Sequence, residues 1–428
     1  MNLWDSMCEP NCCQQCTFCR YVGGWSVFAA WIVVLFASPT KADERFASYD
    51  RRISDFMEEH AVPGVSVAVT NRGRVVFAKG YGLADIEAEK PVRQESLFRI
   101  ASISKPITAV AILQLIEQEK LNLDDKAFEV LDYEDDIKAA GDNFETRLRD
   151  ITIRQLLEHR GGWDRNKSFD AMFQPVRFAK QIGVPAPADQ SAIIKAMLTQ
   201  KLDFDPGERC AYSNFGYCLL GRVIKEISGQ TYEAYVKKSV LAPLGITSMR
   251  IGATRLEGRV KNEVRYYHPG NGQSVFEKDL GQPVPHPYGA WHLEAMDSHG
   301  GWIASAADLA KFAAAFDDPD NCPILNRKSI ELMYRRPSGL AGHNEDGSKK
   351  DVYYSLGWSV RVPSGGRMNY WHTGSLPGTA TILIRRHDGR NFVALINSRV
   401  SKSSNHLGRA IDSLLHKAAN EVTDWPNE

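Results

Sequence analysis

The chain has 428 residues, 43% hydrophobic and 24% charged, which is enough apolar material for one large domain or two ordinary ones. Lys+Arg and Asp+Glu both number 52, so the formal net charge is zero. That balance gives neither the basic footprint of a nucleic-acid binder nor a polybasic handle for acidic lipid, and no solenoid or coiled-coil period is visible.

Five of the eight cysteines (Cys8, Cys12, Cys13, Cys16 and Cys19) precede residue 20. The Cys16–Cys19 spacing suits a zinc knuckle, but no His follows at ligand spacing. The cluster runs directly into Trp25–Ala37 (WSVFAAWIVVLFA), an apolar run of signal-peptide length and short for a spanning helix. Thr40-Lys41-Ala42 places small residues for cleavage after Ala42, although Arg20 is the only cation before the run. Residues 1–42 are therefore read as a signal peptide, or as a membrane anchor through 21–38. A start codon set too far upstream is the third option. Export to the periplasm or outside the cell is the expectation for the body, 43–428.

In that body, Phe46, Tyr49, Ile53, Phe56 and Met57 recur at helical spacing up to Pro63. Val65, Val67 and Val69 then alternate, Asn71-Arg72-Gly73 turns, and Val75–Phe77 returns, which predicts a β-hairpin. A helix is expected over about 102–119, then loop-rich sequence to Asp150 and mixed, mostly helical sequence over 151–290. Strands are predicted at 356–362, 368–372, 379–385 and 391–398, with Asp388-Gly389 turning the last pair, and a final helix at about 404–419. Strands at both ends with helices between them argue for an α+β protein: an antiparallel sheet from about 43–101 and 300–428, flanked by helices, with a mostly helical part at about 102–299 inserted. No Gly-x-Gly-x-x-Gly after a strand, Walker loop, His-Glu-x-x-His or Gly-x-Ser-x-Gly elbow occurs.

Three short motifs carry chemistry. Ser102-Ile103-Ser104-Lys105 opens the first long helix, whose apolar face includes Ile103, Ile107, Val110 and Leu113. Residues three apart share a helix face, so the Lys105 amine can reach the Ser102 hydroxyl near the positive helix end. Ser-x-x-Lys alone is weak, and Ser38 with Lys41 repeats it by chance. The bland alternative is an N-cap serine beside a surface lysine. Tyr212-Ser213-Asn214 sits in a loop before a helix expected at 216–227. A phenol beside a cationic lysine loses its proton more easily and can act as a base. Asn214 can donate to a carbonyl or hold a lysine, while Ser213 reads equally well as an N-cap. His372-Thr373-Gly374-Ser375 ends an apolar strand, where edge N–H groups can form an oxyanion hole and Gly permits close approach.

The motifs lie 110 (212−102) and 160 (372−212) residues apart. With Ile151–Gly162, the FDPGERCAYSNFGYCLLG segment, Tyr232–Gly245, Gly300–Phe312 and Tyr354–Val360, the chain over about 45–418 resembles the class C-like branch of the serine β-lactamase and penicillin-binding superfamily. D-alanyl-D-alanine carboxypeptidases and family VIII esterases belong to that branch. The resemblance implies a β-lactamase/transpeptidase-like fold and a serine hydrolase forming an acyl-enzyme on an ester or amide. It implies Ser102 as nucleophile, Lys105 as base or as the group that activates Tyr212, and Tyr212 as proton shuttle. Asn214, Thr373 and Gly374 would contact substrate, His372 would stand where lysine is usual, and the Ser102 and Ser375 N–H groups would form the oxyanion hole. The substrate would be a small molecule or peptide, a peptidoglycan stem peptide or a β-lactam among them, with no metal or cofactor.

Two departures qualify this. A neutral His372 binds a carboxylate less strongly than lysine would. His159-Arg160-Gly161-Gly162 replaces the relatives' His-Thr-Ser-Gly, and His159 is expected to be structural. His286, His292, Glu294 and His299 fall in Pro-, Gly- and Trp-containing sequence and read as a substrate wall rather than a metal cluster. Cys210 and Cys218 flank the second motif, either bridged or as buried thiols. The alternative function is a non-catalytic peptidoglycan-binding or assembly protein keeping the fold.

Overall fold

The predicted alternation of Val65, Val67 and Val69 is realised in β1 (Gly64–Asn71), which turns through Arg72-Gly73 into β2 (Arg74–Asp85) and then β3 (Lys90–Pro91). In the computed structural model, which describes residues 44–362, 365–401 and 406–426, these strands meet five from the other end of the chain. These are β4 (Val352–Tyr354), β5 (Ser359–Arg361), β6 (Asn369–Leu376), β7 (Thr379–Arg385) and β8 (Arg390–Ile396). All pair antiparallel in the order β3-β2-β1-β8-β7-β6-β5-β4. The cysteine-rich start, the apolar run and the Ser38/Lys41 pair lie outside the described residues.

Side chains on a strand alternate between faces, and here both faces are covered. Val65, Val67, Val69, Ile382, Ile384, Phe392 and Ala394 pack under α1 (Ala47–His60) and the C-terminal α5 (Leu407–Glu421). Ala68, Leu383, Val393 and Leu395 point the other way, toward α4 (Ala306–Ala314) and a larger apolar cluster that includes α2 (Ser104–Glu117) and α3 (Asn214–Ser228). Burial on both faces explains why β7 and β8 read as nearly unbroken apolar runs. The same physics widens the expected single apolar face of α2: every residue from Ser104 to Leu115 is buried, because α3 and the short helix Asp297–Gly300 pack beside it.

Three differences from the sequence reading have local causes. Of the strand predicted at 356–362 only Ser359–Arg361 forms, as β5, because Gly357 takes φ 84° and the Ser355 N–H donates to Trp358 O across a tight turn; β4 precedes that turn, where the sequence reading has no strand. β6 continues to Leu376, so the His-Thr-Gly motif lies inside the strand rather than at its end. The helix expected at 216–227 starts at Asn214 because Ser213 caps it, its Oγ accepting the Gly216 N–H at 3.3 Å. Cys210 and Cys218 are both free thiols. No helix among the described residues is long and apolar enough to cross a membrane.

Candidate active site

The segment entering α2 is fastened from several sides. The Arg99 N–H donates to Tyr266 Oη, and its buried guanidinium donates to the carbonyls of Pro287, Ala253 and Thr254. Thr379 and Thr381 on β7 donate their hydroxyls to the carbonyls of Arg99 and Ile100. Gly374 on β6 runs so close that a Cβ there would stand 2.1 Å from Ile100 O and 3.1 Å from Ala101 Cβ. Held this way, Ala101 adopts φ 49°, rare for a residue with a side chain, and a short 3-10 turn (Ala101–Ile103) follows. Ser102 is left half-buried on the floor of a cleft. It is not an N-cap: Ile103 occupies that position on α2 with no side-chain cap bond.

Lys105 is fully buried. Its Nζ lies 3.2 Å from Ser102 Oγ, 2.8 Å from Asn214 Oδ1 and 2.9 Å from the His299 carbonyl. Because the Asp170 carboxylate can only accept, the Asn214 amide donates to its Oδ2 at 2.6 Å, which turns the Asn214 carbonyl to face Lys105. Burial pushes the Lys105 amine well below its usual range, with Asp170 opposing and Arg165 adding to the shift.

Tyr212 stands over this amine, its ring centroid 4.8 Å from Nζ. Burial raises its phenol; the hydrogen bond with Ser102 and the charge of Arg165 only partly counter that. Proximity to lysine therefore does not make this phenol the easier group to deprotonate: desolvation moves the two groups in opposite directions, favouring neutral amine and neutral phenol. His159 packs against the rings of Tyr212, Tyr354 and Tyr217 at 4.3, 4.4 and 5.1 Å, and accepts the Ser213 N–H on Nδ1. Its contacts brace the second motif.

His372 is buried and neutral, pushed down to about 3 by desolvation first and Lys105 second. Its Nδ1–H donates to the Thr373 carbonyl at 2.7 Å, so Nε2 is the acceptor and receives the Tyr354 hydroxyl at 3.0 Å. The Thr373 carbonyl thus sets the His372 tautomer and Tyr354 satisfies its free nitrogen, a role that only its place in the YSLGWSV segment hinted at.

Ser102, Tyr212, His372, Thr373, Gly374 and Ser375 line one compartment of about 350 Å³. Asn214 lines a smaller one of about 120 Å³ with Ser102 and Ser375. Every residue singled out from the three motifs therefore faces one cleft or holds a residue that does. Sequence reasoning missed Asp170, the His299 carbonyl and the arginines of the cleft, Arg165, Arg399 and Arg409, none of which sits in a motif. His292 lies apart, its Nδ1 on the Ala188 carbonyl.

A family model described as Beta-lactamase matches residues 49–416. The chain is 26% identical over 348 residues to Penicillin-binding protein 4* of Bacillus subtilis (strain 168), spanning 80% of this chain and 69% of the relative. It is 29% identical over 355 residues to FimD, serogroup D, a Dichelobacter nodosus protein named for fimbrial assembly, spanning 82% and 78%. Among solved structures it resembles the octameric penicillin-binding protein homologue from Pyrococcus abyssi, with TM-score 0.63 and 25% identity over 87% of this chain and 77% of that one.

Proposed function

The chain belongs to the Beta-lactamase family and has its β-lactamase/transpeptidase-like fold, and from that premise we propose a serine hydrolase that cleaves an ester or amide through an acyl-Ser102 intermediate. The observation that carries this reading is the partner set of Lys105. A neutral amine has two N–H bonds and one lone pair. Asn214 Oδ1 and the His299 carbonyl take the two N–H bonds, so the lone pair is left facing the Ser102 hydroxyl.

Lys105 then accepts the Ser102 proton as Oγ attacks the carbonyl carbon. The negative oxygen that develops lies near the backbone N–H groups of Ser102 and Ser375. Tyr212, protonated at rest, gives its proton to the departing oxygen or nitrogen and recovers one from Lys105. Water reverses these transfers to free the acid and Ser102. His372 and Thr373 bound the side where the leaving group departs. The apolar run before residue 43 supports placing the reaction outside the cytoplasm.

Ser102→Ala is expected to reduce turnover of p-nitrophenyl acetate to background while the circular dichroism spectrum and Tm stay unchanged. A fluorophosphonate probe should label Ser102 in the unaltered protein, and retained turnover by the variant would overturn the assignment. A non-catalytic assembly role is the second reading, favoured by the relative named for fimbrial assembly. It predicts no labelling. Parallel assays with nitrocefin, a D-Ala-D-Ala peptide and short-chain esters rank the substrate classes.

A further inference from the structure

Ser102 and Ser375 line the smaller compartment but Tyr212, His372 and Thr373 do not, so on the reading above it receives the acyl portion of the substrate. Its volume is about 120 Å³, about a third of that of the larger compartment at about 350 Å³. Phe173, Met296, Leu376 and Pro377 supply apolar wall, and Asn214 is already committed to Lys105 and Asp170. The charged side chains that line it are Arg165 and Arg399, which also border the larger compartment, and no Asp or Glu lines it.

Arg399 has no ion pair among the described residues, and its Nε is buried without a hydrogen-bond partner. Arg165 reaches Asp170 only at 3.7 Å, and that carboxylate also holds the Asn214 amide. The two guanidiniums repel: Arg165, after burial, helps lower Arg399. Like charges facing one cavity are relieved by an anion placed between them.

We propose that Arg165 and Arg399 clamp a carboxylate at the far end of a short acyl chain, so that the preferred acyl group is of the succinyl or glutaryl class. This inference rests on the serine-hydrolase reading. The chain's apolar methylenes lie against Phe173, Met296 and Leu376, while its carboxylate meets the two arginines and takes no part in bond breaking. The carboxylate recognition that a neutral His372 provides weakly is thereby moved to the other side of Ser102.

The test compares mono-p-nitrophenyl glutarate with p-nitrophenyl valerate, which have the same acyl length and differ in a terminal carboxylate against a methyl. The glutarate should be favoured in kcat/KM by about tenfold or more, chiefly through KM. One well-placed charged contact of about 1.4 kcal/mol corresponds to that factor. The preference should shrink by about tenfold in Arg399→Gln and in Arg165→Gln, shrink with added salt, and partly return in Arg399→Lys. Equal rates for the two esters, or a preference unchanged in both Gln variants, overturn the clamp and leave the hydrolase reading standing. If neither ester is cleaved and Ser102 takes no fluorophosphonate, the hydrolase reading fails and the clamp fails with it.

Discussion

Lys105 and Ser102 are three residues apart on a helix entrance, a separation any surface serine and lysine can have. What distinguishes them is that the lysine has lost its water. With its amine held well below the usual 10.5, the proposed base is neutral over a wide range of pH. kcat/KM should therefore rise with pH and reach its plateau well before 10.5. A profile that climbs only as pH approaches 10.5 would show that Lys105 stays charged in the working enzyme. Tyr354 permits a second check on a single atom, because Tyr354→Phe removes the donor that His372 Nε2 receives. The lost bond, worth about 1 kcal/mol, should lower kcat roughly fivefold with KM little changed. The variant should bind the fluorophosphonate probe more slowly by a similar factor and keep its Tm within a few degrees.

At the scale of elements, the catalytic turn belongs to the sheet as much as to α2. Gly374 lets β6 touch the Ile100–Ala101 backbone, and Thr379 and Thr381 tie the same stretch to β7. A methyl at Gly374 meets backbone atoms that cannot yield, so Gly374→Ala should destabilise by roughly 1–3 kcal/mol and cut turnover by far more than Tyr354→Phe does. Melting and ester kinetics on the same preparation check both; a fully active, fully stable variant would contradict the packing described. This tie could not be read from the sequence, where Gly374 and Ile100 are 274 residues apart (374−100). The hairpin of β1 and β2 and the terminal helices were legible because their side chains follow periods of 2 and 3.6, and β7 and β8 because their apolar runs flank the Asp388-Gly389 turn. The tight turn at 355–358, which delays the strand predicted from 356 and sets another before it, was not, since one glycine at a positive φ outweighs an apolar run. Ser102, Lys105, Tyr212 and His372 were legible through short motifs in a set order. Asp170, Arg165 and Arg399 were not, because they reach the cleft from loops and a strand end, where no periodicity marks a side chain's direction.

For the molecule as a whole, burying neutral imidazoles links folding to pH. His159, His299 and His372 are all lowered by desolvation, His372 to about 3. Between there and the ordinary 6.5 the unfolded chain binds more protons than the folded one, so stability is full above about 6.5 and is lost as pH falls toward 3. Each ring contributes a slope of up to about 1.4 kcal/mol per pH unit. Tm measured from pH 8 to pH 4 should hold steady and then fall, and His372→Asn should soften the fall; a flat curve would mean these rings titrate in the fold as they do in the unfolded chain. A different consequence follows from the pairing of β1 with β8, in which Val65 meets Ile396 across 331 residues (396−65), while α1 and α5 seal the seam with the Ser48 hydroxyl on the Ala418 carbonyl. The β1–β2 hairpin therefore leaves the ribosome long before the strand it pairs with, and its valines stay uncovered until that strand follows. The fold is a loop whose clasp closes only once both of its distant halves have been made.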